Sequence, residues 1–204
     1  MGEILDDIAA DSKRAGNVIQ RLRALFKKAD AHLEPVDLNG IVAEVLQLAD
    51  RRLLEDNVSV TTKLASDLPT VRADSVQLKQ VLLNLVVNAC DAMTENKPGD
   101  RSLTIATSCE DKGFAQVSVS DRGSGIAAYV KERLVQPFVP TKSTGTGLGL
   151  SICRSIIEAH GGRLSASNNP DSGATFSVAL PIEGHRSQTV TLRSEADVRI
   201  QTSS

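Results

Sequence analysis

The feature that most constrains the fold is a pair of adjacent strand-like segments joined by a short turn. Residues 102–108 (SLTIATS) and 114–120 (FAQVSVS) flank the turn residues 111–113 (DKG), which predicts a β-hairpin. A second strand pair is predicted at 163–167 and 174–180. Because helical segments stand between these pairs, we predict an α/β two-layer sandwich. Its sheet is mixed and mostly antiparallel with helices on one face, unlike a doubly wound parallel sheet.

The other predicted elements divide the chain into three parts. A further strand is predicted at 58–64, and helices at about 37–51, 75–93, 126–135 and 147–160. Asp74 or Ser75 is the expected N-cap of the second of these helices. The expected organisation is a long helix with a linker at 1–34, a main domain at 35–182 and a disordered tail at 183–204.

The N-terminal segment from Glu3 to Lys28 has the pattern of a long helix with an apolar seam. Steps of three and four residues alternate along Ile4, Ile8, Asp11, Ala15, Val18, Leu22 and Leu25, where Asp11 fills the one polar slot. Pro35 bars continuation of this helix into the main domain. We expect the seam to pair with other helices, most simply in a homodimer; the alternative is an amphipathic helix packed on its own domain.

Composition and charge exclude several classes of function. The net charge is -2, and the chain has four Phe, one Tyr and no Trp, which argues against a nucleic-acid-binding surface. The three cysteines are scattered, as expected for reduced thiols rather than metal ligands. The longest apolar stretch, 81–90, is interrupted by Asn84 and Asn88, so no membrane span is predicted. We expect a cytoplasmic piece that makes no membrane contact, although its parent protein could be membrane-anchored.

The segment 80–93 (QVLLNLVVNACDAM) is a predicted helix with a polar stripe. Asn84, Asn88 and Asp91 are four and three residues apart, which places them on one side of the helix. Buried amides are costly unless they are paired. Two of them within an apolar helix therefore indicate a polar cleft, where an amide oxygen could bind a hard cation such as Mg²⁺. The alternative is that these side chains hydrogen-bond a neighbouring loop.

The segment DRGSG (121–125) comes directly after a predicted strand. Glycine lets backbone approach a flat ligand, because no side chain stands in the way. The Asp121 carboxylate could then accept a hydrogen bond from the amino group of adenine. A plain Asp-Gly turn is the alternative.

A second glycine-rich segment, TKSTGTGLGLSICRSI (141–156), precedes and opens a helix. Its three glycines, Gly145, Gly147 and Gly149, leave backbone N–H groups and the positive helix end available to phosphate oxygens. Lys142 adds a cation. The Walker pattern and the Rossmann glycine spacing are both absent, so this segment predicts a different phosphate-binding device.

Taken together, these segments resemble the motifs of the GHKL (Bergerat-type) ATP-binding superfamily, and above all the catalytic domain of sensor histidine kinases of the FixL and NtrB group. The matching segments are QVLLNLVVNA (80–89) for the N box, DRGSG for the G1 box, PFVPTK (137–142) for the F box and GTGLGL (145–150) for the G2 box. EAHGG (158–162) and GATFSVALP (173–181) are similar to the segments that follow, so the likeness covers about 37–181. Residues 13–26 resemble the second helix of the dimerisation and phosphotransfer hairpin.

The resemblance implies a two-component kinase domain that binds ATP and Mg²⁺ and transfers the γ-phosphoryl group to a histidine, and from there to a response regulator. It implies that Asn88 binds Mg²⁺, that Asp121 binds the adenine amino group, and that Asn84 and Lys142 line the phosphate side as catalytic residues. Thr175 would assist the base through water, and Phe138 would be a hinge anchor for the phosphate lid. The other implied nucleotide-binding residues are Asp91, Gly123, Gly125, Gly145, Thr146, Gly147, Leu148 and Gly149.

Two departures from the family pattern bear on activity. Hydrolysing relatives have a glutamate at the Asn84 position to activate water, and an amide cannot accept that proton at neutral pH. The family's phosphate-accepting histidine belongs to the first hairpin helix, and none of the three histidines matches it. His32 lies in a break, His185 lies in the tail, and His160 ends a helix, where a cation would complement the helix dipole. We therefore expect the acceptor histidine on a partner segment of the parent kinase.

Three functions remain open on the sequence. The favoured one is ATP binding for phosphoryl transfer to a histidine. The second is a GHKL ATPase or molecular clamp, which would require substantial hydrolysis by the chain alone. The third is a non-enzymatic dimerisation module whose working part is the N-terminal helix.

Overall fold

The computed structural model describes residues 32–110, 113–126 and 148–183. Their helices are α1 (Leu38–Glu55), α2 (Ser75–Ala92) and α3 (Leu148–Ala159), with a short 3₁₀ turn at Pro98–Asp100. Their strands are β1 (Glu34–Val36), β2 (Ser59–Lys63), β3 (Val71–Ala73), β4 (Ser102–Glu110), β5 (Phe114–Asp121), β6 (Arg163–Asn168) and β7 (Ala174–Pro181). The predicted N-terminal helix, the tail from residue 184 and all but the first residue of the helix predicted at 126–135 lie outside the described residues.

The main sheet has five strands in the order β2-β4-β5-β7-β6. Strands β2 and β4 are parallel, whereas β4–β5, β5–β7 and β7–β6 are antiparallel. The predicted hairpin is present, with Ile105 opposite Val119. The mixed, mostly antiparallel sheet is therefore confirmed, and the predicted strands match the observed ones to within two residues at each end.

The helices cover one face of this sheet. Alternate residues of β4 and β5 are buried, namely Leu103, Ile105, Thr107, Ala115, Val117, Val119 and Asp121. The residues between them on β5 are only half-buried, which is the pattern of a sheet with one covered face. Helix α2 contacts both α1 and α3, so it is the central helix of the layer. Its place at the centre explains why seven of its residues are buried.

Two aspartates begin the first two helices. Asp37 accepts a hydrogen bond from the backbone N–H of Asn39 at 2.9 Å. Asp74 accepts from the N–H groups of Val76 and Gln77, both at 3.0 Å. These side chains satisfy N–H groups that have no partner within the first helical turn. The predicted cap of α2 is thereby confirmed at Asp74.

Strands β1 and β3 were not predicted. They form a separate two-stranded sheet in which Val36 lies opposite Val71. Each has three residues, which is too short for an alternating pattern to be recognised. Their pairing depends on the burial of Val36, Val71 and Ala73. In this part of the chain the sequence pattern showed only the helix break at Pro35.

His160 connects the end of α3 to the beginning of α2, and it is 5% exposed. Its Nε2 accepts a hydrogen bond from the backbone N–H of Asp74 at 3.0 Å, and its Nδ1 lies 2.7 Å from the carbonyl oxygen of Ile156. A ring that accepts at one nitrogen and donates at the other is neutral. The expectation that a cation here complements the helix dipole is therefore wrong, because the ring serves as a neutral link between two helices.

The cysteines differ in their accessibility. Cys90 and Cys153 are buried and Cys109 is exposed, and all three are free thiols. Burial raises the pKa of the Cys90 thiol to about 11. Because the thiolate is the reactive form, a buried thiol with a raised pKa reacts slowly at neutral pH.

We predict that a disulfide reagent such as Ellman's reagent modifies one thiol of the native chain rapidly at pH 8. That thiol is Cys109, so the Cys109→Ser variant should lose the fast phase. Cys90 and Cys153 should react only after unfolding in guanidinium. Rapid modification of two or more thiols in the native chain would contradict the prediction.

Candidate functional site

The candidate site lies where the end of β5 meets the C-terminal end of α2. Asp121 is the last residue of β5 and is 3% exposed. Its Oδ1 accepts hydrogen bonds from the backbone N–H groups of Gly123 at 2.8 Å and Ala174 at 3.2 Å. These two bonds fix the orientation of the carboxylate, which belongs to the face of β5 that the helices cover.

The loop after Asp121 lies directly against α2. A Cβ at Gly123 would come within 2.5 Å of the Ala92 carbonyl oxygen, and the N–H of Ser124 donates to that oxygen at 3.2 Å. Gly125 has a φ of 74°, a conformation that favours glycine. The sequence predicted that both glycines admit a flat ligand. The structure adds a reason for Gly123, since only glycine lets this loop approach the α2 backbone.

The polar stripe of α2 begins beside the first turn of α3. A Cβ at Gly149 would come within 2.9 Å of the Asn84 Nδ2 atom. The same Nδ2 donates to the Cys153 sulfur at 3.1 Å. Asn84 therefore positions the start of α3 against α2. This contact follows the glycine-rich segment, of which Lys142, Gly145, Thr146 and Gly147 lie outside the described residues, as does the side chain of Leu148.

Asn88 lies midway along the same stripe. Asn84, Asn88 and Ala92 follow one another at four-residue steps, each of which is slightly more than one helical turn and rises about 6 Å. Asn88 is thus one turn from the contact with α3 and one turn from the contact with the Asp121 loop. Its side chain is half-buried and forms no hydrogen bond with any other described residue. An amide in this position can bind a ligand without first breaking an intramolecular bond.

Asp91 lies three residues after Asn88, near the C-terminal end of α2. It is exposed, and its Oδ1 accepts a hydrogen bond from Arg52 of α1 at 3.2 Å. The structure therefore places this carboxylate toward α1, whereas Asn84 contacts α3. Its predicted role in nucleotide binding stays a prediction.

Thr175 lies on the opposite face of the sheet from the Asp121 carboxylate. It is paired with Ser120, and paired residues share a face, while Asp121 is the next residue along and points the other way. The Thr175 hydroxyl lies 2.9 Å from the Ser120 hydroxyl and 2.6 Å from Asn169 Oδ1. The structure does not bring Thr175 to the carboxylate, and Ala174 is the β7 residue that contacts it.

The sequence patterns did not single out Asn168 and Asn169. Asn168 is the last residue of β6 and Asn169 begins the turn to β7, and their side chains hydrogen-bond the backbone of the segment 121–126. The only local signal was a run of turn-forming residues, NNPDSG (168–173). Such a run predicts a turn but not what the turn contacts.

Comparisons with known proteins identify the family of the chain. The family described as histidine kinase-, DNA gyrase B-, and HSP90-like ATPase matches residues 73–184. That range contains α2, the Asp121 loop, α3 and both strands of the second hairpin. The chain belongs to this family.

Within this ATPase family, the chain is similar to sensor histidine kinases. The sensor protein FixL of Bradyrhizobium diazoefficiens is 40% identical over 177 residues, which are 87% of this chain and 35% of FixL. The chain spans about a third of the length of the curated relatives it matches. The predicted family and its histidine kinase branch are thereby confirmed.

Solved structures show the same likeness. The catalytic domain of histidine kinase ThkA is 34% identical with a TM-score of 0.65, and the match covers 74% of this chain and 95% of that domain. ThkA in complex with the response regulator protein TrrA has a TM-score of 0.72 at 29% identity, covering 88% and 50%. Full-length ShkA in complex with AMPPNP has a TM-score of 0.68 at 29% identity, covering 81% and 34%. These matches confirm the predicted fold.

The described residues contain neither a candidate membrane span nor a cluster of three possible metal ligands. None of their helices combines the length and the apolar character that a membrane span requires. No group of three His, Cys, Asp or Glu side chains in this part of the chain could hold a metal ion.

Proposed function

We propose that this chain binds Mg-ATP and supplies the γ-phosphoryl group to a histidine on the hairpin helix of its parent kinase, from which a response regulator receives it. The observation that carries the proposal is the stripe of α2 residues bounded by two glycine contacts. Gly149 meets the stripe at Asn84, Gly123 meets it at Ala92, and Asn88 lies between them. A phosphate-binding segment and a base-binding loop thus flank one metal-binding amide.

In this proposal Asp121 accepts a hydrogen bond from the amino group of adenine. A carboxylate has about four acceptor positions, and Gly123 and Ala174 use two of them from the backbone side. Gly125 keeps the loop close to the base. These contacts would select adenine by its exocyclic amine and not by its ring shape alone.

Asn88 would hold the Mg²⁺ ion. Mg²⁺ in nucleotide sites is bound by one or two protein oxygens together with phosphate oxygens, so a single amide suffices and no acidic cluster is needed. The half-buried Asn88 amide fits this requirement. The metal, when bound, neutralises charge on the phosphates. Asn84 and Lys142 are proposed to line the phosphate side, and Gly145, Thr146, Gly147, Leu148 and Gly149 to form the phosphate lid, as the family resemblance implies. Asp91 is proposed as a further nucleotide-binding residue.

An ATPase or clamp function is disfavoured by Asn84. Its amide donates to the Cys153 sulfur, and an amide offers no base to take a proton from water. Slow steady-state hydrolysis by the chain alone is therefore expected. In the parent kinase we further propose a homodimer through the N-terminal helix and a cytoplasmic location for this domain.

The test mixes this chain with a hairpin fragment that bears the acceptor histidine and with γ-labelled ATP and Mg²⁺. Acid-labile, base-stable phosphate should appear on the fragment, and a fragment with glutamine in place of that histidine should stay unlabelled. Binding of Mg-ATP by calorimetry without any labelling would contradict the kinase function. An absence of binding would instead leave a dimerisation module as the explanation.

A further inference from the structure

Asn168 at the end of β6 and Asn169 in the turn that follows hydrogen-bond the two ends of the base-binding loop, which comprises residues 121–126. The first contact is made by Asn168, whose Oδ1 accepts from the backbone N–H of Ile126 at 2.7 Å and whose Nδ2 donates to the Ile126 carbonyl at 2.9 Å. One side chain thus satisfies both backbone groups of a residue 42 positions away. Such a paired contact restrains the position and the direction of the backbone together.

The second contact holds the other end of the loop. Asn169 Nδ2 donates to the Asp121 carbonyl oxygen at 2.9 Å, and the Asn169 N–H donates to the Gly173 carbonyl at 3.0 Å. Gly173 has a φ of 84° and no room for a Cβ beside Asp121. The Thr175 hydroxyl bonds the Asn169 Oδ1. These interactions connect the turn rigidly to the strand end that carries the carboxylate.

We propose that Asn168 is a positioning residue for base recognition, holding the segment 121–126 in the shape that adenine requires. The inference rests on the proposed nucleotide-binding function and extends it to a residue outside the motifs recognised in the sequence. If the loop is restrained before the nucleotide arrives, little conformational entropy is lost on binding. Without the restraint, the direction of Asp121 relative to the base becomes less defined, and selectivity for adenine falls.

Asn168 is well suited to a test because it is exposed. Its truncation leaves no cavity in the core, so the fold should survive. We expect Asn168→Ala to weaken Mg-ATP binding about tenfold and to lower the ratio of ATP to GTP affinity. Asn168→Asp keeps the acceptor for the Ile126 N–H and loses the donor, so its affinity should fall between the two.

Gln116→Ala is the matched control, because Gln116 is a half-buried amide at the far end of the strand that carries Asp121. It should bind ATP as the unchanged chain does. In the phosphotransfer reaction, Asn168→Ala should raise KM for ATP about tenfold with kcat nearly unchanged. A merely structural role would instead lower the melting temperature and the active fraction without altering base selectivity.

Hydrogen exchange separates this inference from the proposed function. Asn168→Ala should lose protection of the Ile126 amide in the nucleotide-free chain, whether or not ATP binds. If the unchanged chain binds no ATP, the proposed function fails. If it binds ATP but Asn168→Ala keeps the same affinity and selectivity to within twofold, the positioning role is overturned while the function stands. Should Asn168→Ala fail to fold, the same comparison is made with Asn168→Asp.

Discussion

Replacement of Asp121 by asparagine is expected to weaken ATP binding about 100-fold while the fold is retained. The asparagine oxygen can still accept from the N–H groups of Gly123 and Ala174, which the present Oδ1 binds at 2.8 and 3.2 Å. The second oxygen, however, becomes an NH₂ group. Two donors then face each other where the proposed site needs an acceptor for the adenine amine. Isothermal calorimetry with Mg-ATP measures the loss.

The control for this variant is Asp50→Asn. Asp50 lies on α1 and is exposed, so the same chemical change there should leave ATP affinity unchanged. Both variants should melt within a few degrees of the unchanged chain. Equal ATP affinity in Asp121→Asn and the unchanged chain would show that this carboxylate does not bind the adenine amino group. The assignment of the cleft would then be wrong.

Replacement of Asn88 by alanine is expected to lower the phosphotransfer rate about 100-fold, because metal binding contributes several kcal/mol to stabilising the charge of the transferring group. Asn88 offers the amide oxygen proposed as the protein ligand of Mg²⁺. Without it the affinity for ATP should no longer increase when Mg²⁺ is added. Metal-free ATP should bind the variant and the unchanged chain with similar affinity. Nucleotide titrations with and without Mg²⁺ provide the measurement.

Gln47→Ala serves as the matched control for Asn88→Ala. Gln47 is an exposed amide on α1, so its loss tests the effect of shortening a helical amide away from the stripe. Its Mg²⁺ dependence should equal that of the unchanged chain. If Asn88→Ala retained the full effect of Mg²⁺ on affinity and rate, Asn88 would not be the metal ligand.

Periodicity and capping residues were sufficient to predict most of the sheet and the central helix. Strands β4 and β5 alternate buried and less buried residues over their length, and this pattern can be read without tertiary information. The N-cap at Asp74 is likewise a local interaction, with both bonded N–H groups within three residues. Strands β1 and β3 were not predicted, because a strand of three residues with a distant partner is too short to show such a pattern.

Part of the chemistry of the candidate site could also be predicted from the sequence. Asn84 and Asn88 are four residues apart, so helix geometry alone predicts that they lie on the same side of α2. Asp121 was expected at the end of a strand. Local spacing could not show that Asp91 pairs with Arg52 of α1. Nor did it show that Thr175 lies on the far face beside Ser120. The role of Thr175 in binding the base was inferred from sequence resemblance, whereas the direction of its side chain is determined by the pleat of β7.

The family, the order of the elements and the residue types that could bind Mg-ATP can be inferred from local patterns, because each of these depends on neighbours close along the chain. Which glycine admits a neighbouring backbone and which histidine ring is neutral depend on the folded structure. The contact of the Asn168 side chain with Ile126 depends on it as well. These properties arise from contacts between segments tens of residues apart, as between Asn168 and Ile126. Packing creates such contacts, and no local pattern of residues encodes them.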